Sequence, residues 1–334
     1  MTPDSGSVHG GGQDVATSFD VVAEMNGSYL QMPDAEFRAR IRTAYRRMSV
    51  CDLCPRHCGA HRLSGEVGRC GASLKPKVFV CNLHRGEEPP VSGTRGSGTV
   101  FFSGCNLECC YCQNYPLSQL HHGTEMSVGR LAAALVELQR KGAHNINFVT
   151  PSHQIPQMLA ATFAARQLGL HVPIVYNTSS YDELSALALL EGVVDVYLGD
   201  LRYTDESVGM QLSGVDDYVR VAERALVEMH RQVGDILLDD QGRYVPRGLI
   251  VRYLILPRHT VMARQVFDFV LRRLSSQTYV SLMTQYFPAY KALDRSLGIS
   301  RKLTDTEYDR VMSAWLRSGL SHGWVQDMEE EGRA

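Results

Sequence analysis

The sequence predicts an α/β fold, a partial (β/α)6 TIM-like barrel with a Cys-rich N-terminal extension. Three observations carry that expectation. From residue 99 onward, short apolar, β-branched runs alternate with amphipathic stretches. The runs hold consecutive apolar residues rather than a strict alternation, the pattern of strands covered on both faces of a parallel sheet. Six such units follow one another, each connection long enough for a right-handed parallel crossover. Six units are too few to close an eight-stranded barrel. An open partial barrel follows, with a flat doubly wound sheet as the competing arrangement.

Along the chain, residues 1–18 read as a Gly/Ser/Asp-rich flexible leader. Residues 19–98 read as an extension packed on the barrel, with a basic helix over 35–49 and a Gly/Pro-rich stretch over 86–98. The barrel itself spans 99–320, and 321–334 reads as a solvated acidic tail. The expected strands are 99–103, 145–150, 172–178, 194–200, 249–256 and 278–286. The first helix, 127–141, puts Leu131, Leu135 and Leu138 on one face, with Ser127 as N-cap and Gly142 as stop. The second, 154–168, ends at Gly169. The third, 181–191, opens on Ser180 and Glu183, the spacing of a capping box. The fourth, 215–233, sets Val219, Ala222, Leu226 and Met229 in register and stops at Gly234. The fifth spans 261–274. The sixth opens on a second capping-box pair, Thr304 and Glu307, and runs to about 317.

Composition narrows the function classes. The chain has 334 residues, 44% of them hydrophobic, and a net charge of −2. That apolar content excludes a disordered chain. The 34 Lys+Arg balanced by 36 Asp+Glu exclude a polybasic nucleic-acid binder. The start lacks a basic, apolar and small-residue signal pattern, and no apolar run nears the roughly 18 residues that span a bilayer. The reading is a cytoplasmic protein with neither a membrane nor a nucleic acid as partner. In that compartment, clustered cysteines mean metal or redox chemistry rather than crosslinks.

Eight of the nine cysteines fall in two groups. Cys105, Cys109 and Cys112, spaced C-x3-C-x2-C, follow the first strand of the barrel directly. That is the C-terminal rim, where such folds keep their active sites. Three thiolates on one short loop wrap three corners of an iron–sulfur cube and leave the fourth iron open to an outside ligand. An open coordination position separates a catalytic metal centre from a closed structural one. Zinc sites ordinarily show paired C-x2-C knuckles, which this loop lacks. Cys110, and Cys81 further upstream, read as packing residues.

The spacing C-x3-C-x-aromatic-C, with Tyr111 as the aromatic, resembles the radical S-adenosylmethionine (SAM) superfamily. The chain is further similar to its pyruvate formate-lyase activating enzyme-like subfamily, over roughly residues 35–310. The stretches that carry this are 51–58 (Cys-Asp-Leu-Cys-Pro-Arg-His-Cys), 86–90 (Gly-Glu-Glu-Pro-Pro), 104–109 (Gly-Cys-Asn-Leu-Glu-Cys), 142–147, 173–178 and 195–198. The resemblance implies that Cys105, Cys109 and Cys112 ligate a [4Fe–4S] cluster whose open iron chelates the amino and carboxylate groups of SAM. Reductive cleavage then yields a 5′-deoxyadenosyl radical that abstracts a substrate hydrogen. It also implies that Tyr111 packs by the adenine, and that a low-potential flavodoxin- or ferredoxin-type donor supplies electrons.

Further pocket candidates lie at strand C-termini. Thr150, Ser152 and His153 follow the second strand, where the superfamily holds the SAM amino group; its usual Gly-Gly-Glu pattern is replaced here by Thr-Pro-Ser-His. Asn177 and Thr178 end the third strand, with the ribose or carboxylate in reach. Asp200 and Arg202 end the fourth, where the resemblance expects Asp-x-Lys. Arginine's planar fork suits a carboxylate clamp, with a surface ion pair as the other role. Arg252 lies inside an apolar strand and so needs a partner or a pocket.

Cys51, Cys54, Cys58 and Cys70 supply four thiols, the count of a closed tetrahedral site. Zinc and an auxiliary [4Fe–4S] cluster both remain open as occupants. Arg38, Arg42 and Arg46 share one helix face and read as solvated, since no aromatics interleave with them as single-strand binders require. Two activities within one chemistry stay in play: a glycyl-radical activase-like or protein- or peptide-modifying enzyme, and a radical SAM enzyme acting on a small metabolite. A non-catalytic electron-transfer or metal-binding protein is the alternative from another class.

Overall fold

A computed structural model describes residues 21–325. The strands are β1 (Lys77–His84), β2 (Ser97–Phe102), β3 (Thr124–Glu125), β4 (Ile146–Val149), β5 (Ile174–Thr178), β6 (Val196–Asp200), β7 (Gly248–Leu254), β8 (Tyr279–Met283) and β9 (Gly323–Val325). They form one sheet in the order β3-β1-β2-β4-β5-β6-β7-β8-β9. From β2 to β9 every neighbouring pair is parallel; β1 pairs antiparallel with β2 and β3. All six expected strands are present.

The order contains no reversal within the parallel run. A doubly wound sheet needs one, at its switch point, so that alternative is out. Right-handed crossovers that always step the same way put their helices on one face of the sheet. Those helices are α4 (Val128–Arg140), α5 (Ile155–Gln167), α6 (Leu184–Leu187), α7 (Glu206–Ser213), α8 (Tyr218–Val233), α9 (Ala263–Arg273) and α10 (Asp305–Ser318). Before them come α1 (Asp34–Arg46), α2 (Pro89–Ser92) and α3 (Tyr115–Ser118).

Two apolar layers explain the unbroken apolar runs. The larger joins Phe102, Phe148, Tyr176 and Tyr253 of the strands to Leu131, Met158, Leu226 and Val266 of the helices. The smaller, Val91, Val175, Val196, Leu198 and Ile250, lies on the opposite face. By strand alternation, Asn177 and Arg252 share that opposite face. There Arg252 meets Glu88 through Nε and Nη2 at 2.7 and 2.8 Å, and Glu87 through Nη2. The segment 86–92 therefore packs on the face of the sheet opposite the helices. Arg252 resolves as a buried ion pair, and the Gly/Pro-rich stretch buries Glu88, Val91 and Ser92.

The sequence expectation differs from the structure in three places. The third helix is a single turn, Leu184–Leu187, followed by a 3-10 turn, Ala188–Leu190. Ser180 does not cap it: its φ is +60°, and Glu183 holds the N-cap position without a side-chain bond. The chain turns inward there so that buried Asp182 accepts from Tyr176 and Thr178 at 2.7 and 2.5 Å. The N-terminal extension does more than pack on the sheet, because β1 lengthens it. Residues 323–325, expected in the tail, add the edge strand β9, while 326–334 and the leader 1–18 lie outside the described residues. Arg38, Arg42 and Arg46 of the basic helix are exposed, as a solvated face requires, and Arg38 also lies 4.4 Å over the ring of Phe163, which meets Phe37 edge-on. The capping box of Thr304 and Glu307 is formed on both sides.

Candidate active site

The loop after β2 turns at Gly104, whose φ is +85°. A Cβ there would stand 2.0 Å from the carbonyl oxygen of Cys70, so only glycine fits. The three thiols of the loop each face a donor. The amide of Leu107 donates to Cys105 Sγ at 3.4 Å. Arg202 Nη1 donates to Cys109 Sγ at 2.9 Å, and Ser213 Oγ lies 3.0 Å from the same sulfur. Ser118 Oγ lies 3.1 Å from Cys112 Sγ. Burial, reinforced by the neighbouring Cys109, pushes the Cys105 thiol up to about 12 and raises that of Cys112. Cys105 and Cys112 without a ligand keep their protons; a bound cation would convert them to thiolates.

Among the described residues, no three His, Cys, Asp or Glu side chains are drawn up to hold a single metal ion. The three-sulfur donor set with matching N–H and O–H groups suits a cluster, whose ligands stand further apart than those of one ion.

Arg202 is not a surface ion pair. Its Nε and Nη2 bind Asp200 Oδ2 at 3.0 and 2.7 Å while Nη1 reaches the sulfur. Tyr111 is 3% exposed; its ring meets Tyr203 and Tyr286 edge-on, and its hydroxyl lies 2.6 Å from that of Tyr203. Tyr203 in turn lies 2.8 Å from Ser213 Oγ. Cys109, Arg202, Asp200, Ser213, Tyr203 and Tyr111 thus form one connected network.

The other rim candidates divide. His153 is buried and donates from Nε2 to the carbonyl of Ser103 at 2.8 Å, beneath the loop. Desolvation lowers its pKa to about 4, so it stays neutral, and its Nδ1 has no partner. Ser152 lies 3.3 Å from Thr178 Oγ1, and both belong to the hydroxyl network around Asp182 rather than to the thiols. Asn177 turns to Glu87 on the face opposite the helices at 3.5 Å. Thr150 is half-buried at the end of β4. Cys110 is buried, its amide bonded to Leu212 O at 2.8 Å. Cys81 is half-buried against the core.

Sequence reasoning missed Ser213, Ser118, Tyr203 and Glu87. The 86–90 stretch was a signal for Glu87; the hydroxyl groups carried none.

A cleft of about 700 Å³ opens beside the loop, with Cys105, Arg69, His121, Met210, Tyr290 and Lys291 in its wall. The first cysteine group stands next to the loop. Arg56 donates to Asn106 O and Gly214 O, both at 2.8 Å, and Arg69 pairs with Glu108 at 2.8 Å. Cys51, Cys54 and Cys70 are buried and Cys58 is exposed. Among the described residues no helix is long and apolar enough to cross a membrane.

Comparison with known proteins agrees with a cluster-binding loop. A sequence model of the 4Fe-4S single cluster domain matches residues 91–213, which include the whole thiol loop, Arg202 and Ser213. The [4Fe–4S] expectation is met by that match. The chain is 29% identical to the uncharacterized protein MJ0674 of Methanocaldococcus jannaschii, over 78% of this chain and 73% of that one. Among solved structures it is similar to Streptococcus suis SuiB bound to its precursor peptide SuiA, with 11% identity and a TM-score of 0.46. That alignment covers 67% of this chain and 46% of SuiB. It is also similar to anSMEcpe with bound AdoMet, with 12% identity and a TM-score of 0.40, over 66% of this chain and 60% of that one. The chain thus spans about half the length of these solved structures.

Proposed function

We propose that this chain is a radical S-adenosylmethionine enzyme of the pyruvate formate-lyase activating enzyme-like kind, built on a partial (β/α)6 barrel. The observation that carries the reading is the three-thiol loop at the C-terminal end of the first parallel strand, with Arg202 from the end of β6 on its central sulfur. Cys105, Cys109 and Cys112 would hold three irons of a [4Fe–4S] cluster and leave the fourth to SAM. When bound and reduced, that pair supplies a 5′-deoxyadenosyl radical able to abstract hydrogen from a substrate.

The chain's own residues do the positioning. Gly104 lets the loop press against Cys70, and Arg202, held by Asp200, fixes the Cys109 rotamer. Thr150, Asn177 and Asp200 stand at the ends of β4, β5 and β6 as walls for SAM, with Ser152 and His153 behind them and Tyr111 behind the loop. The substrate in this reading is a protein or peptide, activase-like in kind, which would enter by the open cleft beside Cys105. A low-potential flavodoxin- or ferredoxin-type protein is the electron donor in this reading.

The test is anaerobic reconstitution with iron and sulfide, followed by incubation with a strong reductant and SAM. Chromatography should detect 5′-deoxyadenosine. A fully loaded protein that forms none would sink the proposal.

A further inference from the structure

We propose that Cys51, Cys54, Cys58 and Cys70 form a second site, closed and structural, for a thiophilic metal bound through four thiolates. The metal is a zinc ion or an iron–sulfur cluster, and the site braces the loop that carries Cys105.

The first argument is convergence. Hydrogen bonds from Cys51 N to Ala60 O at 3.1 Å and from Gly59 N to Cys51 O at 3.0 Å close the 51–60 loop. Another, from Gly68 N to Ala72 O at 2.9 Å, closes the loop around Cys70. The two loops meet over Gly68. A Cβ on that residue would lie 3.5 Å from Cys58 Sγ and 3.6 Å from Cys70 Sγ, so the absent side chain leaves room where the sulfurs converge.

Charge points to the same site. Arg62 is 0% exposed. Its Nε and Nη2 donate to one carbonyl, that of Ser73, at 3.2 and 3.0 Å, and its Nη1 points at Cys51 Sγ, 3.7 Å away. Among the described residues no carboxylate pairs with it. A buried guanidinium without a counter-charge is costly. The nearby groups that can carry that charge without leaving the core are the thiols, as metal thiolates. Four thiolates on a divalent ion leave a net negative shell, which Arg62 offsets.

The thiols are not drawn up to single-ion spacing, so binding turns the side chains inward, and exposed Cys58 has room to do so. Each thiol releases its proton as its sulfur–metal bond forms, with no change of oxidation state. The bracing role follows from position, since Arg56 and Arg69 grip the Cys105 loop and the Cys70 carbonyl packs on Gly104.

The test uses the full chain with Cys105, Cys109 and Cys112 all replaced by Ala, purified anaerobically, so it does not depend on SAM chemistry. Elemental analysis and Mössbauer spectroscopy should find about one zinc, or a cluster's worth of iron and sulfide, per chain. Adding Cys51→Ala and Cys54→Ala should reduce that metal at least tenfold. A triple variant that holds no metal, or metal that survives the two added substitutions, overturns the proposal. Should the variants fail to fold, alkylation of the unaltered protein decides. The four thiols should resist a thiol reagent until a strong chelator is added; immediate modification without chelator contradicts the site.

Discussion

Arg202 donates a hydrogen bond to the sulfur of Cys109 at 2.9 Å, across 93 residues of chain. Its other edge is held by Asp200. The planar fork serves both groups at once, which a lysine ammonium does not reproduce. Arg202→Lys and Arg202→Ala should each reduce cluster retention or SAM cleavage by about 10–100-fold, the usual cost of losing an outer partner of a metal ligand. Iron per chain and the rate of 5′-deoxyadenosine formation measure the two effects. Unchanged values in both variants would remove Arg202 from the site.

Arg252 sits between two carboxylates with 12% of its side chain exposed, against 7% for Glu87 and 6% for Glu88. Arg252→Met leaves both acids buried without a counter-charge, with Glu87 keeping only its amide contact from Asn147 at 3.0 Å and that from Asn177, and should cost about 3–5 kcal/mol in urea unfolding. Glu87→Gln keeps the two-point contact with Glu88 and should cost less. A loss below about 1 kcal/mol in Arg252→Met would show that this face of the sheet is wetter than its burial implies.

Much of this architecture was legible because its signals are local. Strands buried on both faces, such as 174–178 with Tyr176 on one side and Val175 on the other, carry apolar residues at successive positions rather than at alternate ones. The Thr304 and Glu307 capping box is likewise a matter of spacing. The cysteine loop was readable because its ligand spacing lies within eight residues. The partners were not. Ser213 reaches Cys109 from α7, an eight-residue helix containing Gly209 that looks like loop in the sequence. Glu88 finds Arg252 over a separation of 164 residues. Ser180 carried a correct capping pattern, yet the inward turn toward Asp182 overrode it.

Cys110 is the control among the clustered thiols. Its amide is bonded to Leu212 and its side chain is buried. Cys110→Ala should retain most SAM cleavage, whereas Cys105→Ala, Cys109→Ala and Cys112→Ala should each abolish it. Equal losses in all four variants would overturn the choice of ligands.

Glu307 caps α10 and binds Arg301, which with the Arg258 and Thr304 amides lowers its pKa from 4.5 to about 2. A carboxyl depressed in the folded state contributes stability above its unfolded value. That contribution is lost as pH falls from about 4.5 towards 2. Glu307→Gln should therefore lower the unfolding free energy from urea titration at pH 7, by about 1–2 kcal/mol for the cap and its charged hydrogen bonds. The gap to the unaltered protein should narrow below pH 4.5. A gap constant with pH would mean that the carboxylate charge contributes nothing.

The central claim is that three thiolates hold a [4Fe–4S] cluster with one iron open to SAM. Electron paramagnetic resonance of the anaerobic, reduced protein, recorded with and without SAM, tests it most directly. The account predicts a reduced-cluster signal whose g-values shift when SAM is added and which is lost in Cys109→Ala. A cluster signal that SAM leaves unchanged would contradict it.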